Sequence, residues 1–288
     1  MRKVIITGKN GYISTNLKNW MDAKDKDLDV ELLDLREDSW KDRSFEDVET
    51  IIHTSALVHK NEIDYPLQEY RRINRDLTIE LAEKAKSEGV THFIYISSMA
   101  VYGVDISCFK NTEITKTTPL IPTTKYGISK LEAEFKLLEK EDEFFKVSII
   151  RPPFVYGKNC PGNYQTLKKL TMEIGVIPKI KNYKSMIFID NLCECIYQIF
   201  KHKCAGIFTP QNAQIQSTYK LSLLIAKYNN KKVLCSYIFA PFVLVSSLFV
   251  NKIRKAFGNE FYSNSISQID GLNYNVISFE ESVKLTEQ

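Results

Sequence analysis

The chain has no C-x-x-C pair, no histidine cluster, no arginine-rich tract and no long apolar stretch at its start. Each absence removes a class. The six cysteines, at 108, 160, 193, 195, 204 and 235, have no histidines at metal-ligand spacing, so they read as reduced structural residues and no metal site is expected. A net charge of +4 with scattered lysines and no aromatic-basic interleaving excludes nucleic acid as a partner. Met1 runs straight into a strand pattern with no small-residue cleavage site, which predicts no signal peptide and a cytoplasmic location. One uncharged run, Val233 to Val250, reaches 18 residues, the lower limit for a membrane span, but Pro241 divides it. What is present is ordinary globular usage: 288 residues, 44% hydrophobic and 26% charged, enough for one large α/β domain with a smaller appendage.

Arg2-Lys3-Val4-Ile5-Ile6-Thr7 is a β-rich run stopped by Gly8, and Tyr12 to about Ala23 has helical character with Ile13, Leu17 and Trp20 on one face. Between them, Gly8-Lys9-Asn10-Gly11-Tyr12-Ile13-Ser14 forms a G-x-x-G-x-x-S turn. Its glycines admit a close ligand, and the helix N-terminus presents free N–H groups to a pyrophosphate. A second strand, Asp29 to Leu33, ends in Asp34, where a carboxylate accepts from ribose hydroxyls and repels a 2'-phosphate, favouring NAD. Arg36 stands two residues further on and could stack on adenine or neutralise that phosphate, so NADP stays open.

A strand from about Glu49 carries Ile51 and Ile52 to His53-Thr54-Ser55-Ala56, whose small residues admit a cofactor at the strand's carboxyl end. His53 reads as a structural, hydrogen-bonded residue. In a helix from about Leu67 to Ser87, Asn74 faces inward among Ile73, Leu77 and Leu81 and needs polar partners in the backbone or active-site loops. The strand Val90 to Ile96 then delivers Ser97 and Ser98 to the same sheet edge. After the loop from Val104 to Thr123, Tyr126-Gly127-Ile128-Ser129-Lys130 opens a helix running to about Glu141. Its spacing sets a phenol and an ammonium on one face, one turn apart. A nearby positive charge favours a phenolate, which makes Tyr126 a candidate general base and acid beside Lys130, with Ser98 hydrogen-bonding substrate or phenolate. Strand Val147 to Ile150 ends in Arg151-Pro152-Pro153-Phe154-Val155-Tyr156-Gly157. Alternating strands and helices predict a doubly wound parallel sheet with these groups on one rim.

In this order, Thr7-Gly8-Lys9-Asn10-Gly11-Tyr12-Ile13, Asp34, Ser97 to Gly103, Tyr126 to Lys130 and Arg151 to Gly157 resemble the extended short-chain dehydrogenase/reductase family, in its nucleotide-sugar epimerase, dehydratase and reductase branch. The resemblance implies a Rossmann domain over 1–157 plus about 186–210. A smaller interleaved C-terminal region, 158–185 plus about 211–288, would hold the nucleotide sugar. It implies Ser98, Tyr126 and Lys130 as catalytic residues. NAD or NADP would then contact Gly8, Asn10, Gly11, Tyr12, Ile13, Asp34, Arg36, Ser55, Ala56, Asn74, Tyr126, Lys130 and Pro153. Ser98, Tyr126, Asn163 and Lys184 would contact substrate.

Three departures bear on the activity. Ser14 replaces the family's third glycine. Met99-Ala100 stands where dehydratases carry an Asp-Glu pair, so a 4,6-dehydratase is not expected. Phe154 replaces the asparagine usual in galactose-type 4-epimerases, leaving Asn163 as the more plausible contact; the stretch also resembles reductases of 4-keto sugar nucleotides. A C4 epimerase of a UDP-hexose or UDP-N-acetylhexosamine leads, with the ketoreductase as alternative and a non-catalytic dinucleotide sensor behind both. A homodimer stays open.

Further on, Asp190 is placed to cap a helix from Leu192 to Lys201, and Gly206 to Pro210 is expected to return to the main sheet. Lys232 to Ile238 reads as a strand and Pro241 as the first turn of a helix continuing to Lys255. Phe242, Val245, Leu248, Phe249 and Lys252 lie along one side of that helix and are expected to be buried against the substrate region. The alternative for residues 241–255 is a weak peripheral membrane or partner contact.

Overall fold

Apolar residues follow one another without polar relief in Val4-Ile5-Ile6 and Ile149-Ile150, and strands of that kind are stable only when both faces are covered. The structure is a computed structural model describing residues 2–58 and 64–288. In chain order its first half comprises β1 (Arg2–Thr7), α1 (Tyr12–Lys24), β2 (Leu28–Leu33), β3 (Thr50–His53), α2 (Leu67–Arg71), α3 (Leu77–Ser87), β4 (His92–Ile96), β5 (Glu113–Ile114), α4 (Lys125–Leu138) and β6 (Lys146–Ile150). Then come β7 (Phe154–Tyr156), α5 (Asn163–Ile174), β8 (Val176–Pro178), β9 (Met186–Phe188), α6 (Ile189–Lys201) and β10 (Gly206–Phe208). The C-terminal stretch adds α7 (Thr218–Tyr228), β11 (Leu234–Ser236), α8 (Ala240–Ser246), α9 (Asn251–Phe257), β12 (Phe261–Tyr262), α10 (Asn264–Ser267) and α11 (Phe279–Glu287).

Six strands pair in parallel in the order β10-β6-β4-β3-β1-β2. The order reverses at β1, whose neighbours are β2 and β3, and in open parallel sheets ligands bind outside the carboxyl ends at such a point. Alternation along each strand splits the core. Val4, Ile6, Ile52, Ile94 and Ile150 pack against α1 and α6 on one face, while Ile5, Ile51, Phe93, Val147 and Ile149 pack against α3 and α4 on the other. Each such side chain contributes roughly 1.5–3 kcal/mol by leaving water. Smaller pairs lie outside the main sheet: β7 with β9, β8 with β11, and β5 with β12. As expected, Gly206 to Phe208 rejoins the main sheet beside β6.

Three local expectations are corrected. The 67–87 helix is interrupted by a π-helical turn, Arg72–Asp76, centred on buried Asn74. Asp190 lies inside the first turn of α6, where it complements the helix dipole, and caps nothing through its side chain. The single helix expected from Pro241 to Lys255 is instead α8 and α9, separated at residues 247–250. Ser247 causes the break: its hydroxyl donates to the Leu244 carbonyl at 2.6 Å, and such local bonds compete with the helical ladder. The expected burial fails too. Phe242 is 69% exposed and Phe249 84%, with Val245 and Leu248 also facing solvent.

Candidate active site

Four strand ends build the rim. After β1, Gly8 adopts φ +90°, and a Cβ there would lie 3.1 Å from both the Ser55 and Thr54 hydroxyls, so glycine lets the β1 and β3 loops meet. Ser14, the departure from a third glycine, is fully buried and donates back to the Gly8 carbonyl and, at 2.9 Å, to the Gly11 carbonyl. The hydroxyl therefore staples the loop. Helix α1 begins after Gly11 with no side-chain cap and no acid in its first turn, leaving its first N–H groups and positive dipole end for an anion. Asn10 is exposed at the turn, and Tyr12 and Ile13 form the helix's half-buried first turn. These residues fit a dinucleotide pyrophosphate.

At the tip of β2, Arg36 binds Asp34 through a fork, its Nε lying 2.9 and 3.0 Å from the two carboxylate oxygens. That bond, more than the nearby Lys9 charge, holds the Asp34 carboxyl well below its ordinary value, at about 2. The two residues expected to select the coenzyme thus occupy each other. Ser55 and Ala56 are half-buried at the end of β3. Asn74 spends its amide locally: the Leu57 N–H donates to its oxygen at 2.7 Å, and its nitrogen donates to the Leu57 carbonyl at 3.2 Å and Ser129 Oγ at 3.0 Å. It clamps the β3 loop to α4, and the π turn gives it that reach.

Ser98 caps the 3₁₀ turn Met99–Tyr102 by accepting from the Ala100 N–H at 3.1 Å, and its hydroxyl also hydrogen-bonds Tyr126. The two elements approach closely because residue 127 is glycine; a Cβ there would lie 2.6 Å from the Ala100 carbonyl oxygen. Thr124 caps α4 by accepting from the Gly127 N–H at 3.0 Å. Lys130, one turn beyond Tyr126, is buried; its ammonium donates to the Ile96 carbonyl at 2.7 Å and stands 4.4 Å from the Tyr95 ring centroid.

The electrostatics differ from the expectation. Burial pushes the Tyr126 phenol up to about 12 and the Ser98 hydrogen bond pulls only partly back. Burial pulls Lys130 down to about 7, and Glu134 opposes that fall. Lys130 does not lower the phenol; desolvation sets its direction.

Behind Lys130 lies a group the sequence reading passed over. Glu134 accepts from Ser97 and from Arg151 Nε at 3.1 and 3.2 Å, and Arg151 donates to Tyr102 Oη at 3.0 Å; all are buried. The signal was there: Tyr126, Lys130 and Glu134 repeat at i, i+4, i+8 on one helix face. Pro153 is buried just past β6, two residues beyond Arg151. Asn163 and Lys184 stand apart. Asn163 is exposed at the start of α5. The Lys184 ammonium donates to the Lys255 carbonyl at 2.7 Å, at the end of α9.

This rim defines a class: a Rossmann-fold protein with a glycine turn at one strand end and Ser98, Tyr126 and Lys130 gathered at its neighbours. The family follows from comparison. The model of the NAD dependent epimerase/dehydratase family matches residues 4–203, and the chain belongs to that family. It is similar to UDP-glucose 4-epimerase of Vibrio cholerae, 29% identical over 228 residues, covering 71% of this chain and 68% of the relative. It is also similar to N-acetyl-α-D-glucosaminyl-diphospho-ditrans,octacis-undecaprenol 4-epimerase of Escherichia coli O157:H7, 25% identical over 283 residues, covering 91% and 83%. Among solved structures, dTDP-4-dehydrorhamnose reductase of Bacillus anthracis in complex with NADP shares the fold, with a TM-score of 0.75, 19% identity and 99% coverage of both chains.

Proposed function

We propose that the protein is an NAD-dependent 4-epimerase acting on a hexose or N-acetylhexosamine carried on UDP, supplied from the cytosol for surface polysaccharide synthesis. One observation carries the reading: Ser98 and Tyr126 share a hydrogen bond at the rim, with buried Lys130 one turn behind. When bound, the coenzyme accepts and returns a hydride. Tyr126 takes the proton of the sugar C4 hydroxyl and later restores it, and Ser98 orients that oxygen. Lys130, held at the Ile96 carbonyl, supplies the charge that favours the phenolate once a substrate closes the site. For net epimerisation the site would have to let the sugar turn and present its other face to the coenzyme before Tyr126 restores the proton. Gly8, Asn10, Gly11, Tyr12 and Ile13 cradle the pyrophosphate, Asp34 takes the adenosine ribose, and Ser55, Ala56 and Pro153 border the coenzyme. That the Vibrio cholerae and Escherichia coli relatives are 4-epimerases supports this choice of reaction.

The test is incubation of the purified protein with UDP-glucose or UDP-N-acetylglucosamine, with no coenzyme added, reading C4 stereochemistry by NMR. Formation of the C4 epimer is expected. Tyr126→Phe should lower turnover by roughly 10²–10⁴-fold, the range of a positioned acid-base group; undiminished turnover would remove Tyr126 from the mechanism. A second reading, reduction of a 4-keto sugar nucleotide, is favoured by Phe154. That side chain stacks on Tyr156 with ring centroids 6.3 Å apart and offers no polar group to a sugar. Conversion of a 4-keto-6-deoxy sugar only when NADH or NADPH is added selects it.

A further inference from the structure

Residues 234–250 present the largest concentration of exposed apolar side chains among the described residues. Leu234, Tyr237, Ile238, Phe242, Leu248 and Phe249 are each more than 60% exposed. Hydrophobic residues scattered singly need no explanation, but a contiguous run of this kind marks a contact surface. The backbone is committed to displaying it. Ser247 ends α8, the chain turns at residues 247–250, and α9 begins at Asn251, which leaves Phe249 at the tip between two short helices. Ala240 and Ser247 are the buried anchors, and β11 fixes the base by pairing with β8.

Charge says what covers this surface. From Lys231 to Gly258 the sequence contains no Asp or Glu, while Lys231, Lys232, Arg254 and Lys255 flank the apolar run on both sides. Lys179 adds another cation, its ammonium 4.8 Å from the Tyr237 ring centroid. Glu260 meets the Lys255 charge from behind the run, but within the run itself aromatic and aliphatic residues stand between cations with no acid, which suits a surface that is apolar within and anionic at its boundary. Among the described residues no helix is long and apolar enough to cross a membrane, so the segment can lie on a bilayer and not span it. We infer that residues 237–250 dock the protein on an anionic lipid bilayer, with Phe242 and Phe249 entering the acyl boundary and the flanking lysines and Arg254 meeting lipid phosphates. The docked segment is tied to the candidate substrate region by the Lys184–Lys255 bond. This inference goes beyond the proposed reaction and stands or falls separately from it.

The test is co-sedimentation of the full chain with vesicles of phosphatidylcholine alone and of phosphatidylcholine with 30% phosphatidylglycerol. Binding to the anionic vesicles, at least tenfold weaker to the neutral ones and weakened by salt, is expected. A Phe242→Ser, Phe249→Ser double variant should lose most of it while epimerising UDP-sugar at the parent rate. Phe249→Trp should show a blue-shifted emission on binding, measured against the Trp20 and Trp40 background. Three results overturn the proposal: no binding to anionic vesicles, binding that survives the double variant, or a parent dimer in sedimentation equilibrium that the double variant converts to monomer, since the face would then be covered by a second copy.

Discussion

In the proposed reading Asp34 and Arg36 decide between two coenzymes, and they do so while bound to each other. While the guanidinium forks onto the carboxylate, Arg36 is not free to receive a 2'-phosphate, and the carboxylate repels one. Replacing Asp34 with serine removes the repulsion and releases the arginine. The ratio of NADPH to NADH dissociation constants should fall by about tenfold or more, about 1.4 kcal/mol, in a fluorescence titration. An unchanged ratio would mean that this carboxylate does not face the ribose. Glu134 acts at the same scale through Lys130. Its negative charge resists the fall in the lysine's proton affinity, so Glu134→Gln lowers that affinity further below about 7. If Lys130 must be protonated to favour the phenolate, activity declines as pH rises through its titration, and the decline should move to lower pH in Glu134→Gln. The same change leaves Arg151 buried without its partner, costing roughly 3–5 kcal/mol of stability. The pH shift is the readout that lost stability alone does not produce.

Helix α4 and the 3₁₀ turn Met99–Tyr102 meet where a side chain cannot fit. Gly127→Ala would set a methyl 2.6 Å from the Ala100 backbone oxygen, and backbone yields less readily than a side-chain end. The expected cost is about 1–3 kcal/mol of overpacking, seen as a lowered denaturation midpoint, with turnover falling more than stability because the turn carries Ser98. Equal retention of turnover and midpoint would show that the turn moves freely. Much of this was legible beforehand. The parallel sheet, the glycine turn and the Tyr126 and Lys130 pair follow from period and spacing, which are local. Glu134 and Arg151 were harder, because their meaning depends on a contact between α4 and the end of β6 that spacing along the chain does not disclose. The 241–255 helix failed for a different reason. An apolar stripe looks the same whether it faces a core or a membrane, and the serine that breaks it acts through a hydroxyl bond that hydropathy does not register.

Across the whole molecule, the sheet is pinned by two histidines that fold only as neutral rings. His53 joins three elements, with Nδ1 2.8 Å from Thr7 Oγ1 on β1 and Nε2 2.9 Å from Thr78 Oγ1 on α3. His92 reaches Ser148 Oγ across the β4–β6 pair at 2.7 Å. Burial is the main cause that pulls the first down to about 3, with the Lys130 charge adding to it, and burial likewise pulls the second down to about 4. Both folded values lie below the unfolded value of about 6.5, so below that pH the unfolded chain binds more protons than the folded one. The histidines' contribution to stability is therefore fully present well above pH 6.5 and drains as pH falls toward 4, by up to about 1.4 kcal/mol per unit for each histidine. Carboxylates titrate mainly lower, which leaves the interval from pH 6.5 to 5 to the histidines. Denaturant unfolding should lose roughly 3 kcal/mol across that interval, and His92→Gln should halve the slope. Lys130 works in the opposite interval: its folded value, about 7, also lies below the unfolded one, so its burial penalty is relieved as pH rises toward 10 and stability gains there. A His92→Gln slope equal to the parent's would show that this ring accepts its proton without disturbing the β4–β6 pair.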